Sequence, residues 1–322
     1  MRKIFLVSFI VGMVAYILAV PSGAYWIWTP ESGKWVNPKY AVKDTPEEQF
    51  NYATAFYIAK DYKRSLAEFE KLVRHYPLSR FAPEAQFYVG LSHENLNNFY
   101  QAFNAYKLLL EKYPKFEKIK EAVEREFTIG EMFLAGKKRK LMGIELLPAV
   151  DKAIEVFQDV VKNSPYGEYG DRALFRLGEC YKKIGSYQEA KESFQQIIDD
   201  YPNSSLIADA RFQIAACSER ASLKPSYTQE ITKDAIEEFR EFVKEHPDTA
   251  AAQEAQASIQ KLQEKEIENL FSTALFYEKQ GKFTSAEIYY RDIIEKYPNS
   301  QWSAKSLERL NIIEKRKSKR KR

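Results

Sequence analysis

Apolar positions recur along this chain in pairs of short helical stretches separated by a glycine turn and closed by a proline. The clearest pair is Tyr169 to Ser204. Leu174, Leu177, Gly178 and Tyr181 fall at i, i+3, i+4 and i+7, one face of a helix. Gly185-Ser186 interrupts the pattern where glycine lets the chain turn sharply. Tyr187, Ala190, Phe194 and Ile197 restart it, and Pro202, lacking an N–H, ends it. A hairpin of this size cannot bury its apolar face alone and needs copies of itself on either side.

The copies are present. The order of turn, aromatic, alanine, aromatic and proline resembles the tetratricopeptide repeat. The same frame fits Asn51 to Pro77, Ala85 to Pro114 and Asn269 to Pro298. Two further copies are interrupted. One has its first helix around Phe127 to Ala135 and its second from Ala153 to Pro165; the other runs from Ala208 to Ala221 and then from Ala235 to Pro247. Gly or Ala lets two helices approach closely and the aromatic fills the space beside it. The expectation is an all-α tetratricopeptide-repeat superhelix of about five to six helical hairpins over residues 45–310. Thr45, Pro46 and Glu48 predict the capped start of its first helix. Ala250 to Glu268 predicts an extra helix that runs on into the last hairpin.

The flanks have a different character. Residues 1–24 read as an export signal: Arg2 and Lys3, then apolar Ile4 to Val20, then small residues that allow cleavage after Ala24. A retained membrane anchor is the alternative. Position 25 is Tyr, so the cysteine that carries a lipid in bacterial lipoproteins is not there. Residues 25–44 hold Trp26, Trp28 and Trp35 with no clear period, and predict an extended aromatic arm. Its tryptophans either lie on the first repeat or dock a partner. Residues 136–149 form an insertion with a basic cluster, Lys137 to Lys140, followed by apolar residues. It either folds back on the repeats or touches a membrane or partner. Residues 311–322 end in a basic tail, read as a solvated, disordered end or as a contact for anionic headgroups or an acidic partner.

Charge sharpens this division. The net charge is +4; Arg2 and Lys3 carry +2 and the run 315–322 carries +7, so the body between them is about −5 by subtraction. A mildly acidic body argues against nucleic-acid binding. The two cysteines, Cys180 and Cys217, occupy one position of successive repeats, too far apart to bridge, and are expected to be free buried thiols. No H-E-x-x-H, G-x-S-x-G or phosphate-binding glycine motif occurs, and the three histidines are scattered. The chain therefore predicts no enzyme, metal site or cofactor.

One column stands out. Phe50, Phe87, Phe127, Phe175, Phe212 and Phe271 each lie three residues before the small residue of their repeat. One position per repeat makes a stripe along a solenoid. Two readings follow: a concave aromatic ladder that holds a peptide or partner, or packing between adjacent first helices.

The number and order of repeats behind an export signal resemble the BamD family of outer-membrane assembly factors. Phe50 to Pro77, the second hairpin from Tyr76 to Pro114, and the closing run from His246 to Ser300 carry the resemblance, which covers roughly Thr45 to Leu310. It implies a non-enzymatic periplasmic scaffold, associated with the outer membrane, in the machinery that assembles β-barrel proteins. It further implies binding to the barrel-forming assembly subunit and to unfolded barrel substrates, partly through their C-terminal aromatic signal. The family's members are lipid-anchored, which Tyr25 departs from. A periplasmic cell-envelope coordinator of the Tol–Pal type is the alternative, although no sustained heptads precede the repeats.

Overall fold

The computed structural model describes residues 26–29, 33–36, 41–136, 138–141, 144–148, 150–222 and 229–320. The expected export signal, residues 1–24, lies outside them. Thirteen helices are present among the described residues. They are α1 (Pro46–Ile58), α2 (Tyr62–His75), α3 (Ala82–Asn95), α4 (Phe99–Lys112), α5 (Ile119–Leu134), α6 (Val150–Asn163), α7 (Gly170–Ile184), α8 (Tyr187–Asp200), α9 (Ile207–Ser222), α10 (Gln229–Glu245), α11 (Ala250–Lys279), α12 (Phe283–Lys296) and α13 (Gln301–Arg320). They pair as six hairpins with α13 following, an all-α tetratricopeptide-repeat solenoid. The chain divides into two compact units between Ala122 and Val123, inside α5.

Caps and turns set the boundaries of the hairpins. Thr45 accepts a hydrogen bond from the Glu48 N–H at 3.2 Å and Pro46 opens α1, as the sequence predicts. Asp61 caps α2 in the same way, at 3.2 Å from the Arg64 N–H, and Thr249 caps α11, at 3.1 Å from the Ala252 N–H. The turn inside a hairpin needs a left-handed residue. Gly185 (φ 78°) and Gly281 (φ 73°) supply it in two repeats, and the same place is held by Lys60 (φ 60°) and Asn97 (φ 59°) in two others.

In the first unit the core joins Ala53, Phe69 and Leu72 with Ala82, Ala85 and Val89. In the second, successive clusters centre on Phe194 and Ile197, on Phe239 and Phe242, and on Tyr290 and Ile293. Each buried ring contributes about 2–3 kcal/mol relative to exposure, so six hairpins hold together without one large centre.

Three flanking regions refine the sequence reading. The aromatic arm contains a two-stranded antiparallel hairpin, β1 (Ile27–Thr29) and β2 (Lys34–Val36), with Trp28 opposite Trp35. The 136–149 insertion contains a second hairpin, β3 (Lys138–Leu141) and β4 (Ile144–Pro148). The tail is not an unstructured end: α13 continues through Arg320. Lys317 pairs with Glu287 of α12 at 2.7 Å, and Arg316 lies 3.7 Å from Glu278. Cations in the last turn also complement the negative end of the helix dipole. The helix predicted from Ala250 does run into the last hairpin, as one 30-residue element.

Candidate partner-binding surfaces

The phenylalanine column faces the second helix of its own hairpin. Phe50 meets Phe69 with ring centroids 5.6 Å apart, Phe87 meets Tyr106 at 5.7 Å, and Phe127 meets Phe157 at 5.6 Å. Phe175 meets Phe194 at 5.2 Å, Phe212 meets Phe239 at 5.8 Å, and Phe271 meets Tyr290 at 5.5 Å. Most of these pairs are edge-on, the arrangement favoured by opposed ring quadrupoles. Second contacts reach the next element: Phe50 to Phe81, Phe87 to Phe116, Phe271 to Trp302. Phe87, Phe127 and Phe271 keep 2%, 2% and 8% of their surface, whereas Phe50, Phe175 and Phe212 are half-buried. The last three keep the more open rings.

The small residue three positions on has a steric cause. A Cβ placed on Gly178 would sit 2.5 Å from the Phe194 ring, and one on Gly130 would sit 2.7 Å from Phe157. One on Gly90 would collide with Tyr106. Where the second-helix aromatic is Tyr, a glutamate twelve residues earlier accepts its hydroxyl. Tyr106 donates to Glu94 at 2.5 Å and Tyr290 to Glu278 at 3.0 Å. Burial, then the hydrogen bond and charge of Glu278, push the Tyr290 phenol up to about 12. Glu278 keeps only 3% of its side-chain surface and also binds Arg309 of α13 at 2.5 Å. That pair pins the last helix to the repeat before it.

The tyrosine that stands before several of the closing prolines is not singled out by the sequence reading, yet in two hairpins its hydroxyl joins one repeat to the one before it. Tyr113 donates to the Pro77 carbonyl at 2.9 Å, and Tyr201 to the Pro165 carbonyl. Each bond spans 36 residues and ends on the closing proline of the preceding hairpin. Tyr297 reaches Glu266 instead, at 2.7 Å. The recurrence of Tyr-Pro at that spacing was the available signal.

Each unit has a cleft open to solvent among its described residues. In the first unit, a cleft of about 460 Å³ runs between α2 and α4. Val73, Val89 and Leu108 line it, with exposed Arg74, Gln101 and Asn104 at its edges. His93 stands at this cleft, and burial holds its imidazole below the usual range. In the second unit, a cleft of about 470 Å³ on α5 and α7 is lined by Leu134 and Ala135 with Glu131, Arg176, Glu179 and Lys183. Its charges are matched: Arg176 binds Glu131 at 3.0 Å and Glu179 at 2.7 Å.

Among the described residues, no three His, Cys, Asp or Glu side chains converge to hold a metal ion, and no helix is long and apolar enough to cross a membrane. Cys180 and Cys217 are buried and free. Burial pushes their thiols up to about 12 and about 11.

Comparison with known proteins matches residues 217–321 to the family model described as outer membrane lipoprotein, YfiO. Residues 84–115 and 172–204, parts of the second and fourth hairpins, match a tetratricopeptide-repeat model. A 160-residue stretch is 22% identical to the outer membrane protein assembly factor BamD of Caulobacter vibrioides, covering 50% of this chain and 52% of that protein. The match thus spans about half the length of that relative. Among solved structures, a tetratricopeptide repeat protein from Parabacteroides merdae is 14% identical, covering 83% of this chain and 98% of its own, with a TM-score of 0.35. MamA from Desulfovibrio magneticus is 17% identical over 65% of this chain and 99% of its own, with a TM-score of 0.32.

Proposed function

Because this chain is a BamD-like tetratricopeptide-repeat protein, we propose that it is a non-enzymatic scaffold of the machinery that assembles β-barrel proteins into the outer membrane. The observation that carries the reading is the match of residues 217–321 to the outer-membrane family model. In this reading the chain works in the periplasm against the outer membrane. Its partners are the barrel-forming assembly subunit and unfolded barrel proteins.

The chemistry of the open surfaces supports such a role. A barrel strand alternates apolar and polar side chains. The cleft between α2 and α4 offers an apolar floor at Val89 with amide groups of Gln101 and Asn104 beside it. Arg74, which also faces Glu70, and Lys112 at the same cleft supply a net positive charge for a terminal carboxylate. Of the phenylalanine column, Phe50, Phe175 and Phe212 are the members a bound chain would reach. Phe87, Phe127 and Phe271 would set the spacing of the helices behind them.

The test is crosslinking in intact envelopes from a photoreactive residue at Asn104, which is exposed on α4. Recovery of the barrel-forming subunit or of nascent barrel proteins is expected. Recovery of Tol–Pal components instead would replace this reading with the envelope-coordinator one. A probe at Phe87 would be uninformative, since that ring is enclosed by its own hairpin.

A further inference from the structure

The tryptophans of the arm are open to solvent. Trp26, Trp28 and Trp35 keep 61%, 48% and 66% of their surface. Side chains alternate across a strand, and residues directly opposite in an antiparallel pair share a face. Trp28 and Trp35 are opposite each other, and Trp26 is two residues before Trp28. Trp28 and Trp35 therefore share one face of a two-stranded ribbon, and Trp26, exposed immediately before its first strand, adds a third open indole at the edge of that platform. An isolated two-stranded hairpin is marginal in water, and three open indoles are a large apolar area to leave wet.

The surroundings say what covers it. The arm directly follows residues 1–24, whose apolar run Ile4 to Val20 delivers the chain to a membrane as an export signal or, in the alternative reading, holds it there as an anchor, so in either case the arm begins its life beside a bilayer. From Pro21 to Lys43 the arm carries three lysines, Lys34, Lys39 and Lys43, against one acid, Glu31. Indole rings concentrate at the membrane–water boundary, where the ring is sheltered and its N–H stays hydrogen-bonded, and lysines near it are drawn to anionic headgroups. We propose that the Trp26–Trp28–Trp35 platform lies in the headgroup layer of a phospholipid bilayer and holds the first repeats at the membrane surface. The proposal does not depend on the assembly role.

The experiment uses the full chain, purified and mixed with vesicles of phosphatidylethanolamine and phosphatidylglycerol. Because the apolar N-terminal run could itself retain the protein on vesicles, the readout is indole fluorescence rather than co-sedimentation. Lipids brominated near the top of the acyl chain are compared with lipids brominated near its end. The expected result is a blue-shifted emission, quenched more by the shallow bromine than by the deep one. The variant W26F/W28F/W35F leaves only Trp302, which is half-buried against Phe271, and should lose that quenching. Emission of the wild-type chain no more quenched than that of the variant overturns the proposal. Stronger quenching by the deep bromine overturns it as well, since the indoles would then sit within the hydrocarbon. Replacing phosphatidylglycerol with a neutral lipid should weaken binding of the arm and lower the quenching.

Discussion

At the residue scale, the repeat is an agreement between one absent side chain and one ring. Alanine is a better helix former than glycine by about 1 kcal/mol, but at position 178 its methyl would sit 2.5 Å from Phe194. Overpacking of that kind costs about 1–3 kcal/mol, so Gly178→Ala is expected to lower stability, read as an earlier midpoint in urea denaturation. Lys60 presents the opposite case. It holds a left-handed conformation that costs a non-glycine residue about 1–2 kcal/mol. Lys60→Gly should therefore raise stability by about 0.5–1 kcal/mol after the extra unfolded-state entropy of glycine is subtracted, visible in the same urea assay. The two thiols, pushed up to about 12 and about 11 by burial, remain protonated near neutrality. Neither should react rapidly with a disulfide reagent until denaturant opens the repeats, when both should. Glycine, alanine and aromatic positions were legible because spacing alone encodes them. The inward direction of the phenylalanine column was not, because a period of one residue per repeat fits a lining and a core equally well.

At the scale of elements, hairpins are joined by polar contacts that no hydrophobic period announces. The Tyr113 hydroxyl bond to the Pro77 carbonyl is one. Tyr113→Phe should cost about 0.5–1.5 kcal/mol and speed hydrogen exchange at the junction of the first two hairpins more than within either. Arg309 is another. Replacing it with Met would leave the Glu278 carboxylate without its closest cation, though still with the Tyr290 hydroxyl and Arg316 at 3.7 Å, so the cost is about 1–3 kcal/mol. The last helix should then loosen, measured as faster exchange along α13, while α7 and α8 are unaffected. Helix starts were readable from Thr45-Pro46 because capping is local chemistry. The two short β-hairpins were not, since a strand pair in an arm or insertion leaves too few residues to show alternation. The helical state of the tail escaped for a related reason: its order depends on contacts of Arg316 with Glu278 and of Lys317 with Glu287, which lie far back along the chain.

At the scale of the whole molecule, the repeat count and the all-α class followed from the sequence because each hairpin restates the same pattern. The role did not follow in the same way: the repeat leaves exposed positions such as Gln101 and Asn104, which the proposed partner site uses, unconstrained. One element also breaks the modular rule. α11 runs unbroken from Ala250 to Lys279, roughly 45 Å at 1.5 Å per residue, packing on α10 along one part and on α12 along another. Ordinary repeat arrays can gain or lose a hairpin at any proline, because each boundary is a clean joint. Here there is no joint between Thr249 and Gln280, so α11 ties the fifth and sixth hairpins into one part. A hairpin could be added or removed, in evolution or by an engineer, ahead of Thr249 but not between these two. The fifth hairpin and the sixth share a beam that has to be inherited whole.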